Sequence, residues 1–188
     1  MSRVARVPAS FDHCGVLLHQ GIGLDAFNEM PAQKAVHALY ECCNSVTLAR
    51  DLARGRPYAD HDQLFRHADA LLFALSEQSV DLILETCPQI GARPRSAKSR
   101  AEQCALWDER TEVMANLSAA AQRYADRFGF GFVMFVDGLG ADDVLTAISD
   151  RLHHDVETER KVLRNELAKI NRTRLERMLG PEGGYQNW

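Results

Sequence analysis

A chain of 188 residues suits one domain and is long enough to bury a substantial core. It is 46% hydrophobic and 26% charged, the balance of a soluble globular protein, and no apolar run reaches the roughly 20 residues that span a bilayer. A formal net charge of −4 leaves no electrostatic footprint for nucleic acid. The opening stretch MSRVARVPASFDHCG has two arginines but no continuous apolar region and no small-residue cleavage site. The sequence therefore reads as a cytoplasmic protein with neither nucleic acid nor membrane as a partner.

Helical periodicity dominates the chain. A first helix is expected over about 31–43, opening at Pro31, and a second over 45–54. In DHDQLFRHADALLFAL, residues 60–75, Asp60 is placed to cap, with Gln63 three residues on as in a capping box. Leu64, Phe65, Ala68, Leu71, Leu72 and Leu75 then form one broad apolar face. A helix over 78–86 must end at Cys87, because a residue before proline is pushed out of the α region. Another helix is expected over 98–124. RFGFGFVMFVDGLG, residues 127–140, has β character but no partner strand, so it reads as an extended run between helices. After a helix over 141–153 comes DVETERKVLRNELAKINRTRLERML, residues 155–179. Asp155 caps it, Glu157 and Glu159 suit its positive end, and Gly180 with Pro181 stop it. Val162, Leu163, Leu167, Ile170 and Met178 are its expected buried stripe. The predicted fold is one all-α domain of about eight helices, without repeats or linkers and with a flexible tail over 180–188.

Five cysteines, at 14, 42, 43, 87 and 104, make an odd set without CxxC spacing. Vicinal Cys42 and Cys43 point to different sides of a helix, so they read as small buried hydrophobes. Cys87 differs. The negative C-terminal end of a helix raises a thiol pKa above its reference of about 8.5, opposite to what a nucleophile needs. The position suits a proton donor better than a thiolate.

In SRAEQ, Ser99 is a plausible N-cap with Glu102 as its reciprocal partner. The same residues, with Gln103, offer an acceptor, a base and an amide near the Cys87 loop. A carboxylate at a helix N-terminus stays ionised, so Glu102 would orient or accept rather than donate. Arg93, Arg95, Lys98 and Arg100 either form a solvated run or steer an anionic small molecule. Adjacent His153 and His154 face different ways, and no His/Cys/Asp/Glu set has metal-ligand spacing. GFGFV and GLGADD match no phosphate-binding loop. No metal and no cofactor are expected.

Six stretches in this order resemble one family: FNEM, ECCNSVTLARDLARGRPY, CPQIGARP, SRAEQ, RYADRFGFGFVMFVDG and HDVETERKVLRNELAKINRTRLERML. The family is 2-oxo-4-hydroxy-4-carboxy-5-ureidoimidazoline (OHCU) decarboxylase, the ureide-pathway lyase that makes (S)-allantoin after urate oxidation. The resemblance covers about residues 27–179, leaving 1–26 as an N-terminal extension. It implies an all-helical, cofactor-free, usually homodimeric enzyme acting on a small molecule.

Residue by residue, the family's active-site histidine falls on Cys87, while its serine, glutamate and glutamine are retained as Ser99, Glu102 and Gln103. The resemblance makes Cys87 and Glu102 the catalytic candidates. Pro88, Ser99, Gln103, Phe132, Val133, Met134, Phe135 and Asp137 are the candidate substrate contacts. Asp137 stands where many members have an arginine that holds the substrate's anionic part, although some branches lack it, and Ala121 stands where an asparagine is frequent. A thiol titrates about two units above histidine and cannot carry positive charge, so Cys87 marks an altered site. Three readings follow: a member re-tasked to a different small molecule in a specialised biosynthetic pathway, a genuine ureidoimidazoline decarboxylase, or a non-catalytic binding or scaffold protein. The first is the expectation here.

Overall fold

The computed structural model describes residues 21–91 and 110–181. Among these residues the structure is all helical: α1 Leu24–Glu29, α2 Ala32–Cys43, α3 Val46–Arg54, α4 His61–Ala74, α5 Glu77–Thr86, α6 Thr111–Phe128, α7 Ala141–Arg151 and α8 Val156–Leu179. No helix among them is long and apolar enough to cross a membrane.

Local signals account for most of the boundaries. The Asp60 carboxylate accepts the Gln63 N–H at 2.6 Å, while the Gln63 side chain accepts from Ala59, one residue before the cap. Asp155 accepts the Thr158 N–H at 2.7 Å and opens α8. That bond and the Thr158 hydroxyl hold the Asp155 carboxyl below the usual aspartate value. Gly180 closes α8 as expected.

Two boundaries differ from expectation. Arg110 is extended, with φ −73° and ψ 110°, so no single helix runs through 98–124. At its other end α6 continues to Phe128, because Tyr124 and Phe128 extend its buried face and left-handed Gly129 supplies the stop. Helix α1 was not anticipated. It is only six residues long, held by fully buried Phe27 and by Ile22 and Gly23 N–H bonds to the Met178 and Leu179 carbonyls.

The core forms where α2 packs on α3, α8 lies against α2 and α4, and α6 pairs with α7. On α4, Leu64, Phe65, Ala68 and Leu72 are buried, with Leu71 and Leu75 half-buried against them. Cys42 and Cys43 are both buried, and their sulfurs approach different partners, the Arg174 carbonyl and the Ser45 carbonyl.

Helix α8 buries Leu163 and Leu167 but also Glu159, Arg164, Asn171 and Arg174. The arginines satisfy helix ends. Arg164 donates to the Leu72 and Leu75 carbonyls at the end of α4, and Arg174 donates to the Cys42 carbonyl at the end of α2. Arg56 does the same for α1 through the Phe27 and Met30 carbonyls. The last carbonyls of a helix have no partner within it and carry partial negative charge, so a buried guanidinium there meets both needs.

Candidate active site

Helix α5 anchors Val80, Ile83 and Leu84 in the core and delivers Cys87 as its last, extended residue. The Cys87 N–H still reaches the Leu84 carbonyl at 3.0 Å. Its side chain is half-buried, and the chain continues through Pro88 to buried Ile90. Gly91 then runs against α6. Its φ is +81°, and an added Cβ would lie 2.7 Å from the Ser118 backbone nitrogen. Gly91→Ala is therefore expected to cost about 1–3 kcal/mol in backbone strain and displacement of the loop. A denaturant titration showing an unchanged midpoint would refute that close approach.

The opposite wall is the extended segment after α6. Phe130 and Phe132 pack their rings on Tyr124, with centroids 6.0 and 5.0 Å away, and Arg151 lies over Phe132 at 4.4 Å. Among the described residues no strand pairs with this segment. Side chains hold its backbone: Arg151 donates to the Val133 carbonyl at 2.8 Å, and the Phe135 N–H donates to Glu166 at 2.7 Å.

Behind it lies a buried polar cluster. The fully buried Glu159 carboxylate accepts from Arg151 Nε at 2.7 Å, from the Tyr124 hydroxyl, and contacts His154 Nδ1 at 2.8 Å. Burial and then the bond to Glu159 push the Tyr124 phenol well above the usual tyrosine value, so it stays a donor. His153 turns instead to the Ser149 carbonyl. Among the described residues no three His, Cys, Asp or Glu side chains could hold a metal ion together.

Cys87 and Pro88 face Phe132, Val133, Met134 and Phe135 across one pocket, with exposed Asp137 at its edge. Cys87 also lines an adjoining cleft that passes Ser118, Ala121 and Gln122 of α6. Ser99, Glu102 and Gln103 lie outside the described residues, as do Arg93, Arg95, Lys98 and Arg100.

The sequence reading missed the pocket's third wall. Ile170, Thr173, Arg174 and Arg177 of α8 line it at i, i+3, i+4 and i+7, one helical stripe. Two arginines within an otherwise half-apolar stripe were the available signal. They alter the electrostatics expected from Asp137 alone, because two guanidinium-bearing side chains line the same pocket as its carboxylate.

The fold places the chain first in a structural class. It matches a crystal structure of OHCU decarboxylase determined in the presence of (S)-allantoin, with a TM-score of 0.65, 20% identity, and coverage of 74% of this chain and 95% of that one. A crystal structure of (S)-allantoin synthase matches at the same TM-score and 17% identity, over 83% of this chain and 53% of that one. Residues 28–176 match the model of the OHCU decarboxylase family, and the chain belongs to that family. A 2-oxo-4-hydroxy-4-carboxy-5-ureidoimidazoline decarboxylase from Halalkalicoccus jeotgali is 27% identical over 158 residues, 81% of this chain and 87% of that protein. A uric acid degradation bifunctional protein from Bacillus sp. strain TB-90 is 28% identical over 159 residues, 81% of this chain. The chain spans about a third of the length of that protein and of its Bacillus subtilis counterpart.

Proposed function

We propose that this chain is a carboxy-lyase of the urate-degradation type whose pocket has been re-tasked, removing CO2 from a small carboxylated heterocycle without a cofactor. The observation that carries this reading is Cys87 at the end of α5, half-buried and facing the Phe132–Asp137 segment. Loss of CO2 leaves a carbanion that must take up a proton. A neutral thiol is a weak donor, and losing a well-matched acid–base group typically costs about 10²–10⁴-fold. The family's own reaction should then be slow here, unless Glu102 provides the proton-transfer group. Apolar walls from Phe132, Val133, Met134 and Ile170 suit the flat face of a heterocycle, and the arginines of α8 suit its carboxylate.

Residues 27–179 form the catalytic domain in this reading, working as a homodimer in the cytoplasm.

The second reading is a genuine ureidoimidazoline decarboxylase that tolerates the thiol. It is favoured by the Halalkalicoccus jeotgali relative, which this chain covers almost end to end. A CO2-release screen over carboxylated imidazolines, hydantoins and pyrimidines, with freshly generated ureidoimidazoline included, separates the two. Faster turnover of another member of the panel supports re-tasking, and ureidoimidazoline as the best substrate favours the second reading. No release from any of them would contradict both.

A further inference from the structure

We propose that Arg177 is the residue that selects a carboxylated ligand in this pocket, an inference that rests on the decarboxylase reading. The pocket's walls are largely apolar, and a carboxylate placed among them without a partner is strongly disfavoured. Among the described residues, two cationic side chains line it, both on α8. Arg174 is buried and its guanidinium donates to the Cys42 carbonyl at 3.0 Å, so it is committed to the end of α2. Arg177 lies one turn on at the solvent-facing rim, and among the described residues it has no hydrogen bond or ion pair.

A hydrated guanidinium at a rim can turn onto an entering carboxylate and bind it through two parallel N–H bonds. Nothing inside the protein has to be broken first. Asp137 is exposed on the same rim and disfavours further negative charge. Beside Arg177 it sets one cation against one carboxylate among the described rim residues. That balance fits a ligand with one carboxylate and an otherwise uncharged ring. It rejects both a neutral ring, which gains nothing from Arg177, and a dianion, which meets Asp137.

The test compares hydantoin-5-acetate with uncharged hydantoin by calorimetry, in wild type, Arg177→Gln and Arg177→Lys. Wild type should bind the carboxylated probe about tenfold more tightly, a modest margin because Arg177 is exposed to screening water and salt. Arg177→Gln should lose that preference and leave hydantoin binding unchanged, while Arg177→Lys should keep part of it. Raising salt from about 20 to about 500 mM should erase the wild-type preference, as the shrinking Debye length requires. Arg174→Gln should instead lower the thermal midpoint, because it releases the end of α2. A preference that survives in Arg177→Gln, or is absent from wild type, would overturn the inference. An intact preference without CO2 release from any carboxylated heterocycle would sink the decarboxylase reading and leave Arg177 as the selecting residue.

Discussion

Replacing Glu159 by alanine is expected to lower the unfolding free energy by about 3–5 kcal/mol, the range for breaking a buried ion pair from one side. Glu159 is fully buried and holds Arg151, Tyr124 and His154 at once. Its removal leaves a guanidinium and a phenol inside the protein without their acceptor. Breaking the surface pair of Lys161 and Glu157, with side chains 69% and 82% exposed, should matter far less, because water screens it. The effect should reach the pocket as well, since Arg151 also holds the Val133 carbonyl. Replacing Arg151 and Glu159 together by methionine and leucine should cost less than the sum of the single changes. Chemical denaturation of wild type, Glu159→Ala, Arg151→Met, Glu159→Leu and the double variant checks this, and a Glu159→Ala loss below about 1 kcal/mol would contradict it.

Cys87→His is expected to raise decarboxylation of the ureidoimidazoline by about 100-fold, the lower end of the range for a positioned acid–base group. The site is ready for it: position 87 closes α5, opens onto the pocket and is half-buried. A histidine there gains from the negative end of α5, so its cation persists above the free-imidazole value of about 6.5. The variant's activity should therefore acquire a limb between about pH 6 and 8, where wild type stays flat because a thiol titrates higher. Cys87→Ala provides the control for a thiol that only packs. Equal rates in wild type and Cys87→His, with the same pH profile, would show that the acid step does not depend on position 87.

Repeating apolar positions and cap residues made the scaffold legible. Asp60, Asp155 and Gly180 all mark the ends that the sequence assigns to them, and the proline after Cys87 ends α5 where expected. What escaped was polar burial. Glu159 reads as a residue suited to the positive end of α8, yet its carboxylate turns inward to Arg151. Arg164 and Arg174 interrupt an apolar stripe for a reason found only in three dimensions, the unpaired carbonyls of α4 and α2. Periodicity cannot reveal which neighbouring helix ends beneath a given arginine. The pocket was half legible for the same reason. Motif order brought Cys87 toward the Phe132–Asp137 segment, but the third wall came from a helix read only for its core face. Helix α1 escaped because six residues are too few for a periodic signal, and its stability comes from Phe27 and the end of α8.

The most direct measurement follows CO2 release from freshly generated ureidoimidazoline by this protein and by the Halalkalicoccus jeotgali decarboxylase, side by side. The proposal that Cys87 stands in for the family's histidine predicts kcat/KM at least about 100-fold lower for this protein. Equal kcat/KM for the two enzymes would contradict it and establish this chain as an ordinary member of the pathway.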